Sequence, residues 1–277
     1  MTGSAGQRRV PKAFLEEMLI PLPPISEQRR IAATLDQADA LRKGRTKTIE
    51  ALDRLPHALF AEMFGASKNK WPEKRLEEVV NPNTIVTYGI VQAGDEVPGG
   101  IPYIRTGDII DGEISRSNLR HTDPAIAARF KRSRVAAGDI VMSIRATVGT
   151  TAIVPQALDG ANLTQGTARI SPGEQTNRLY LLNFLRAPTT QQWIQRQVKG
   201  VTFTEITLTR LRDLPVWLPP LDFQRDFAAR VDKIQHLKIA ALSHQSRLNA
   251  LFDSLQHGAF NGELTSKHAE RELEMAG

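Results

Sequence analysis

Cysteine is absent from the 277-residue sequence. That excludes a disulfide framework and thiolate chemistry, and it suits a reducing interior. No run of residues approaches the ~18 apolar positions of a membrane span. The opening twenty residues carry basic side chains but no apolar core of the signal-peptide kind. A cytoplasmic protein is the expectation.

Catalytic signatures are missing too. There is no Walker loop and no G-x-G-x-x-G after a strand. The six histidines are scattered, and no His/Glu set has metal spacing. His236 and His244 share a helix two turns apart and read as surface. Glu77-Glu78 and the Asp36/Asp39 pair have no nucleophile beside them. The string "NPNT" (Asn81 to Thr84) is the nearest thing to the Asn/Asp-Pro-Pro-Tyr/Phe motif that holds a flipped adenine, and it is not that motif. With no catalytic and no metal residues assigned, the chain reads as a binder and not an enzyme.

What is present is a soluble globular composition, 41% hydrophobic and 24% charged. A net charge of +6 permits nucleic-acid binding without establishing it. Between Arg116 and Arg145 the cations Arg116, Arg120, Arg129, Lys131, Arg132, Arg134 and Arg145 meet only Asp123 and Asp139. Their densest part is "RFKRSR", which is either a solvated face or a phosphate clamp.

The chain also repeats itself. "PLPPISEQRR" from Pro21 returns as "WLPPLDFQRD" from Trp217, at an offset of 196 positions. The register holds without a gap: Leu22-Pro23-Pro24 fall on Leu218-Pro219-Pro220, Gln28-Arg29 on Gln224-Arg225, and Leu52 and Leu59 on Leu248 and Leu255. Each copy reads as a long helix entered through Pro-Pro, with Ser26 and Asp222 as candidate N-caps. A seven-residue apolar stripe follows, with Ile31, Leu35, Ala38, Ile49, Leu52, Leu59 and Met63 in one copy. Phe227, Val231, Ile234, Ala241, Leu248, Phe252, Leu255 and Ala259 form it in the other. Leu41 and Leu55, matched by Leu237 and Leu251, are expected to widen the stripes. Polar positions interrupt the seam at Arg42, Arg45, Lys238 and Gln245. Each stripe is the obvious partner of the other, giving rods on the order of 60 Å long. Pro56 should kink the first.

Between the rods, short apolar runs alternate with Gly, Pro, Asn and Asp, as in "VPGGIPYIRTGDIIDGEI" and "DGANLTQGTARI", which are strand-and-turn signals. "DIVMSIR" is a strand candidate. "NRLYLLNFLRAPTTQQWIQRQV" is helical with a break at Pro188. The fold class is α+β, an α/β globule plus two long helices packed as an antiparallel coiled coil.

The two PP-x-x-x-Q-R helix starts and the segment "GDIVMSIRATVGTTAIV", followed by "ANLTQGTARI", a helix and "GVT", resemble the specificity subunit of Type I restriction–modification systems over roughly residues 14 to 262. The resemblance implies a non-catalytic, sequence-specific DNA reader. Its helix pair would serve as spacer and docking surface for methylation subunits and a restriction subunit. S-adenosylmethionine, Mg²⁺ and ATP are expected on those partners, and no cofactor on this chain. The family usually has two target-recognition domains, whereas this chain has one. "RRVPKAFLEEMLIPLPP" is similar to the end of such a domain, Leu15 falling on Leu211. The chain thus resembles the latter half of a full subunit, reading one half of a bipartite target. A second copy or a separate chain could carry the missing domain. The implied divisions are an N-terminal segment 1–24, a helix 25–65, a recognition domain 71–213, a helix 221–262 and a flexible tail 263–277.

Reading DNA needs cations for phosphates and polar groups for bases. Arg129, Lys131, Arg132 and Arg134 are the expected phosphate contacts. Arg105, Thr106, Asn118, Arg145, Thr147 and Thr202, at strand ends or loops, are the base-reading candidates. Two competing readings stay open on sequence alone: a coiled-coil assembly protein whose globule binds another protein, and an enzyme with its own nuclease or methyltransferase activity.

Overall fold

Each Pro-Pro segment launches a long helix in the computed structural model, which describes residues 10–17, 22–65, 70–200 and 204–264. The first helix is Ile25–Phe64, continuing through Pro56, and the second is Leu221–Asn261. Both begin ahead of Ser26 and Asp222, so these two residues lie inside the first turn and are not its N-caps. Proline takes that place. The Pro24 carbonyl accepts from the Gln28 amide at 3.0 Å and the Pro220 carbonyl from the Gln224 amide at 3.2 Å. Its fixed φ and missing N–H cost little at a helix entry. The repeated glutamine has a second task, because Gln28 Nε2 donates to the Pro23 carbonyl and Gln224 Nε2 to the Pro219 carbonyl, each at 2.8 Å. In both copies this side chain ties the helix back onto its Pro-Pro entry.

The chain divides into two compact units: residues up to Asp53 together with those from His236, and Arg54–Gln235. In the first unit the two helices run antiparallel. The Arg42 guanidinium sits 4.1 Å over the Phe252 ring, Thr46 Oγ1 donates to Gln245 Oε1 at 3.4 Å, and Asp53 pairs with Lys238. Ala38 and Ala241 are buried on the seam, where Ile31, Leu35, Ile49, Leu52, Leu248, Phe252 and Leu255 are half-buried. Three of the four polar positions expected to interrupt the seam, Arg42, Lys238 and Gln245, therefore make contacts across it. Leu41 and Leu237, by contrast, are 60% and 59% exposed, and Leu251 is 48% exposed. They do not widen the stripe. A seam between two helices buries only a narrow row of positions, and flanking leucines stay open where no third element covers them.

The second unit is mixed α+β. A four-stranded antiparallel sheet runs in the order Thr87–Tyr88, Thr167–Ile170, Ile140–Ser143, Thr151–Ile153. A three-stranded sheet has Ile101–Ile104 at its centre, antiparallel to Arg120–Thr122 and parallel to Asn162–Leu163. Helices Arg178–Arg186 and Pro188–Gln197 are separated at the expected Pro188.

Aromatic residues are only 6% of the chain, and they are concentrated here. Phe60 and Phe64 from the first helix, and Phe223 and Phe227 from the second, pack with Trp71, Tyr180, Phe184 and Trp217 at ring separations of 4.9–6.4 Å. Leu59 packs against this core and Val231 lies within it. Tyr180 is fully buried and donates its hydroxyl to the Trp217 carbonyl at 2.6 Å; burial pushes its phenol pKa upward. Gln224, also fully buried, adds a polar clamp. Its Nε2 donates to the Gln175 carbonyl at 3.1 Å, and its Oε1 accepts from the Asn177 amide at 2.8 Å. A second core gathers Ile104, Val135, Val141, Val154 and Leu163. Among the described residues no helix is long and apolar enough to cross a membrane.

Candidate nucleic-acid interface

The basic knot is built by a short helix and a turn with a buried anchor. Asp123 caps the helix Pro124–Arg129 by accepting from the Ala125 amide at 2.6 Å. A 3₁₀ turn, Lys131–Ser133, follows. Ser133 points inward, its Oγ donating to the Phe130 carbonyl at 2.9 Å and to Asn162 Oδ1 at 2.6 Å. Asn162 Nδ2 in turn donates to the Ala127 carbonyl at 3.3 Å. With the serine fixed inside, Arg129, Lys131, Arg132 and Arg134 are all exposed. None of the four forms an ion pair among the described residues, whereas Arg75, Arg105, Arg145 and Arg169 of the same unit all do. Four unneutralised cations within six residues create a local positive potential.

Concavities adjoin the knot. One of about 430 Å³ is lined by Thr87, Tyr88, Arg129, Lys131, Arg132 and Leu208 among others. A neighbour of about 360 Å³ shares Arg129 and Phe130 with it and adds Val91, Gln92 and Ile126. Tyr88 and Val91 are 41% and 51% exposed. Sequence reasoning passed over Tyr88 and Gln92. Gly89 lies between them, and a Cβ there would stand 1.9 Å from the Leu163 carbonyl oxygen, a clash that only glycine avoids and that the sequence alone does not reveal.

The base-reading candidates fall into two groups. Arg105 donates to Asp108 at 2.7 and 3.0 Å and to the Asn118 carbonyl at 3.0 Å; the Asp108 bond holds its pKa above the usual arginine value. Arg105, Thr106 and Asn118 therefore belong to one tied loop system. Arg145 Nε lies 2.7 Å from Glu205 Oε2, and Thr147 Oγ1 donates to Ser143 Oγ at 3.2 Å. Between them Ala146 has a positive φ of 58°. It is held there because its amide donates to the Thr204 carbonyl and its own carbonyl accepts from Thr204 Oγ1, each at 3.1 Å. Thr202 lies outside the described residues, as do Arg8, Arg9 and the tail from Thr265.

Gly166 joins the two groups. A Cβ added there would stand 2.9 Å from Thr106 Cγ2 and 3.9 Å from Arg145 Cβ. The structure thus brings Thr106 and Arg145 together around one glycine, with the guanidiniums of Arg105 and Arg145 already bonded to Asp108 and Glu205.

A family model described as the Type I restriction modification DNA specificity domain matches residues 1–51 and 68–249. The specificity subunit of the EcoBI Type I restriction enzyme from Escherichia coli is 28% identical, over 96% of this chain and 62% of its own length. The MjaVIII specificity subunit from Methanocaldococcus jannaschii is 23% identical, over 85% of this chain and 60% of its own. The chain thus spans about three fifths of the length of these relatives. Among solved structures, a chain of a type I restriction–modification assembly has a TM-score of 0.61 at 24% identity, covering 93% of this chain and 65% of that one. The HsdS subunit of Thermoanaerobacter tengcongensis has 0.54 at 23%, covering 95% and 65%. Both likenesses establish the fold.

Proposed function

Because the chain belongs to the Type I restriction modification DNA specificity family, we propose that its globule, residues 71–213, reads double-stranded DNA as one half of a bipartite target. The observation that carries this reading is the knot of four exposed cations that form no ion pair among the described residues. Arg129, Lys131, Arg132 and Arg134 hold phosphates and set register. The loops that meet at Gly166, with Thr106, Arg145 and Thr147, present polar groups to base edges.

The paired helices are the docking surface for methylation subunits and, through them, a restriction subunit. Leu41, Leu237 and Leu251 support this, being large apolar side chains left open along the pair. The chain itself is non-catalytic. S-adenosylmethionine, Mg²⁺ and ATP belong to the partner subunits, and a second copy or a separate chain supplies the other half-site reader.

The test is selection from a randomised duplex library by the full chain together with the methylation subunit of its own system. Enrichment of one short sequence supports the reading. Capture of the subunit with no sequence enriched contradicts it and leaves a coiled-coil assembly protein in its place.

A further inference from the structure

The knot is one wall of a groove, and the facing wall has a different chemistry. That wall is the segment Thr87–Gln92, which bears Tyr88, Val91 and Gln92 and carries no charge. It is seated on the strand Asn162–Leu163 and the residues that follow. The Gly89 amide donates to the Thr164 carbonyl at 3.0 Å and the Ile90 amide to the Leu163 carbonyl at 2.6 Å. Gly89 and Ile90 are buried, so the wall has a fixed backbone, while Tyr88 and Val91 project from it half-exposed. Among the described residues neither the Gln92 side-chain amide nor the Tyr88 hydroxyl has a hydrogen-bond partner. This sets them apart from Arg105 and Arg145, whose guanidiniums are bonded to Asp108 and Glu205. The two concavities along the groove meet at Arg129 and Phe130.

A groove with one cationic wall and one uncharged wall matches the two sides of a nucleic-acid strand. Phosphates favour the first, and base edges and sugars favour apolar and amide groups on the second. Resting on the reading that the globule binds DNA, we infer that this groove takes one strand of the duplex, with Gln92 a specificity-determining residue for an adenine. A glutamine amide offers one donor and one acceptor, the pair that adenine N7 and N6 complement. Tyr88 packs its ring on a neighbouring sugar or thymine methyl, and Arg129, across the groove, holds the phosphate.

The experiment compares the full chain, its Gln92→Ala variant and its Lys131→Ala variant, each with the methylation subunit, in selection from a randomised duplex library. Gln92→Ala should lose preference for adenine at one position by roughly 5- to 150-fold, the discrimination one bidentate contact carries. Preference elsewhere in the site and the thermal midpoint should stay unchanged. Lys131→Ala should weaken all duplexes alike. If Gln92→Ala selects the same sequence as the parent chain, the inference is overturned and the DNA-reading assignment stands. If the parent chain enriches no sequence, that assignment fails and the inference falls with it.

Discussion

Gln28 and Gln224 occupy the same place in the two copies of the repeat, yet replacing them should have unequal consequences. Gln224 is fully buried and makes three hydrogen bonds: to the Pro219 and Gln175 carbonyls at 2.8 and 3.1 Å, and from the Asn177 amide at 2.8 Å. Gln28 is only half-buried, and its side chain keeps the one bond to the Pro23 carbonyl at 2.8 Å. Gln224→Ala orphans a backbone N–H and two carbonyls. A buried group left unsatisfied costs about 1–3 kcal/mol, and carbonyls that water reaches cost less. The expected loss is roughly 2–4 kcal/mol for Gln224→Ala against about 0.5–1.5 kcal/mol for Gln28→Ala. At about 2–4 °C per kcal/mol for a unit of this size, the first variant should lower Tm by roughly 5–15 °C. Urea denaturation followed by circular dichroism measures the difference. Hydrogen exchange should also show faster exchange at the Asn177 amide in Gln224→Ala alone. Equal shifts for the two variants would refute the reasoning, because they would mean that the bonds to Gln175 and Asn177 hold nothing in place.

Three further outcomes are expected. Gly89→Ala should cost about 3 kcal/mol or more, since its Cβ meets backbone at 1.9 Å; a parent-like thermal melt contradicts the close approach. Arg145→Ala should relax base preference at one position by about 1–3 kcal/mol in competition binding, and a uniform loss across sequences reassigns it to phosphate. Leu41→Glu combined with Leu237→Glu should leave the helical melt unchanged, because both side chains are exposed, and should abolish co-purification of the methylation subunit. Full retention removes these leucines from the docking face.

The long helices were legible because a repeat carries register as well as pattern. Matching Leu52 to Leu248 and Leu59 to Leu255 requires both copies to keep one helical phase for more than forty residues. What the pattern could not separate was seam from flank. Leu41 and Ala38 are both apolar and three positions apart, yet Ala38 is buried and Leu41 is exposed. Which side of a broad stripe faces the partner depends on the crossing of two helices, which neither sequence encodes alone. The helix starts at Ile25 and Leu221 agree with the sequence, and only the cap residues differ, for a related reason. Ser26 and Asp222 have good cap chemistry, but the Pro-Pro entry and the returning glutamine satisfy the first turn before they are reached.

In the globule the basic knot was visible as composition, and its uncommitted state was not. Arg105 and Arg145 look as available in the sequence as Arg132 does. Asp108 stands three positions from Arg105, a local signal that went unused, but only the fold brings Glu205 to Arg145 and leaves Arg132 without an ion pair among the described residues. That second pairing spans 60 positions, beyond the reach of any local pattern. Tyr88 and Gln92 escaped notice because uncharged residues in a strand end and the loop after it carry no charge pattern, and their exposure is known only from the fold.

DNA reading by this globule depends on phosphate contact by the four cations of the knot, so the most direct measurement is the salt dependence of duplex binding. If Arg129, Lys131, Arg132 and Arg134 each neutralise one phosphate, the logarithm of affinity should fall against the logarithm of salt with a slope of about −3.6 from these residues. Arg132→Ala and Arg134→Ala should each flatten that slope by about 0.9 while leaving base preference intact. A slope unchanged in both variants would contradict the account.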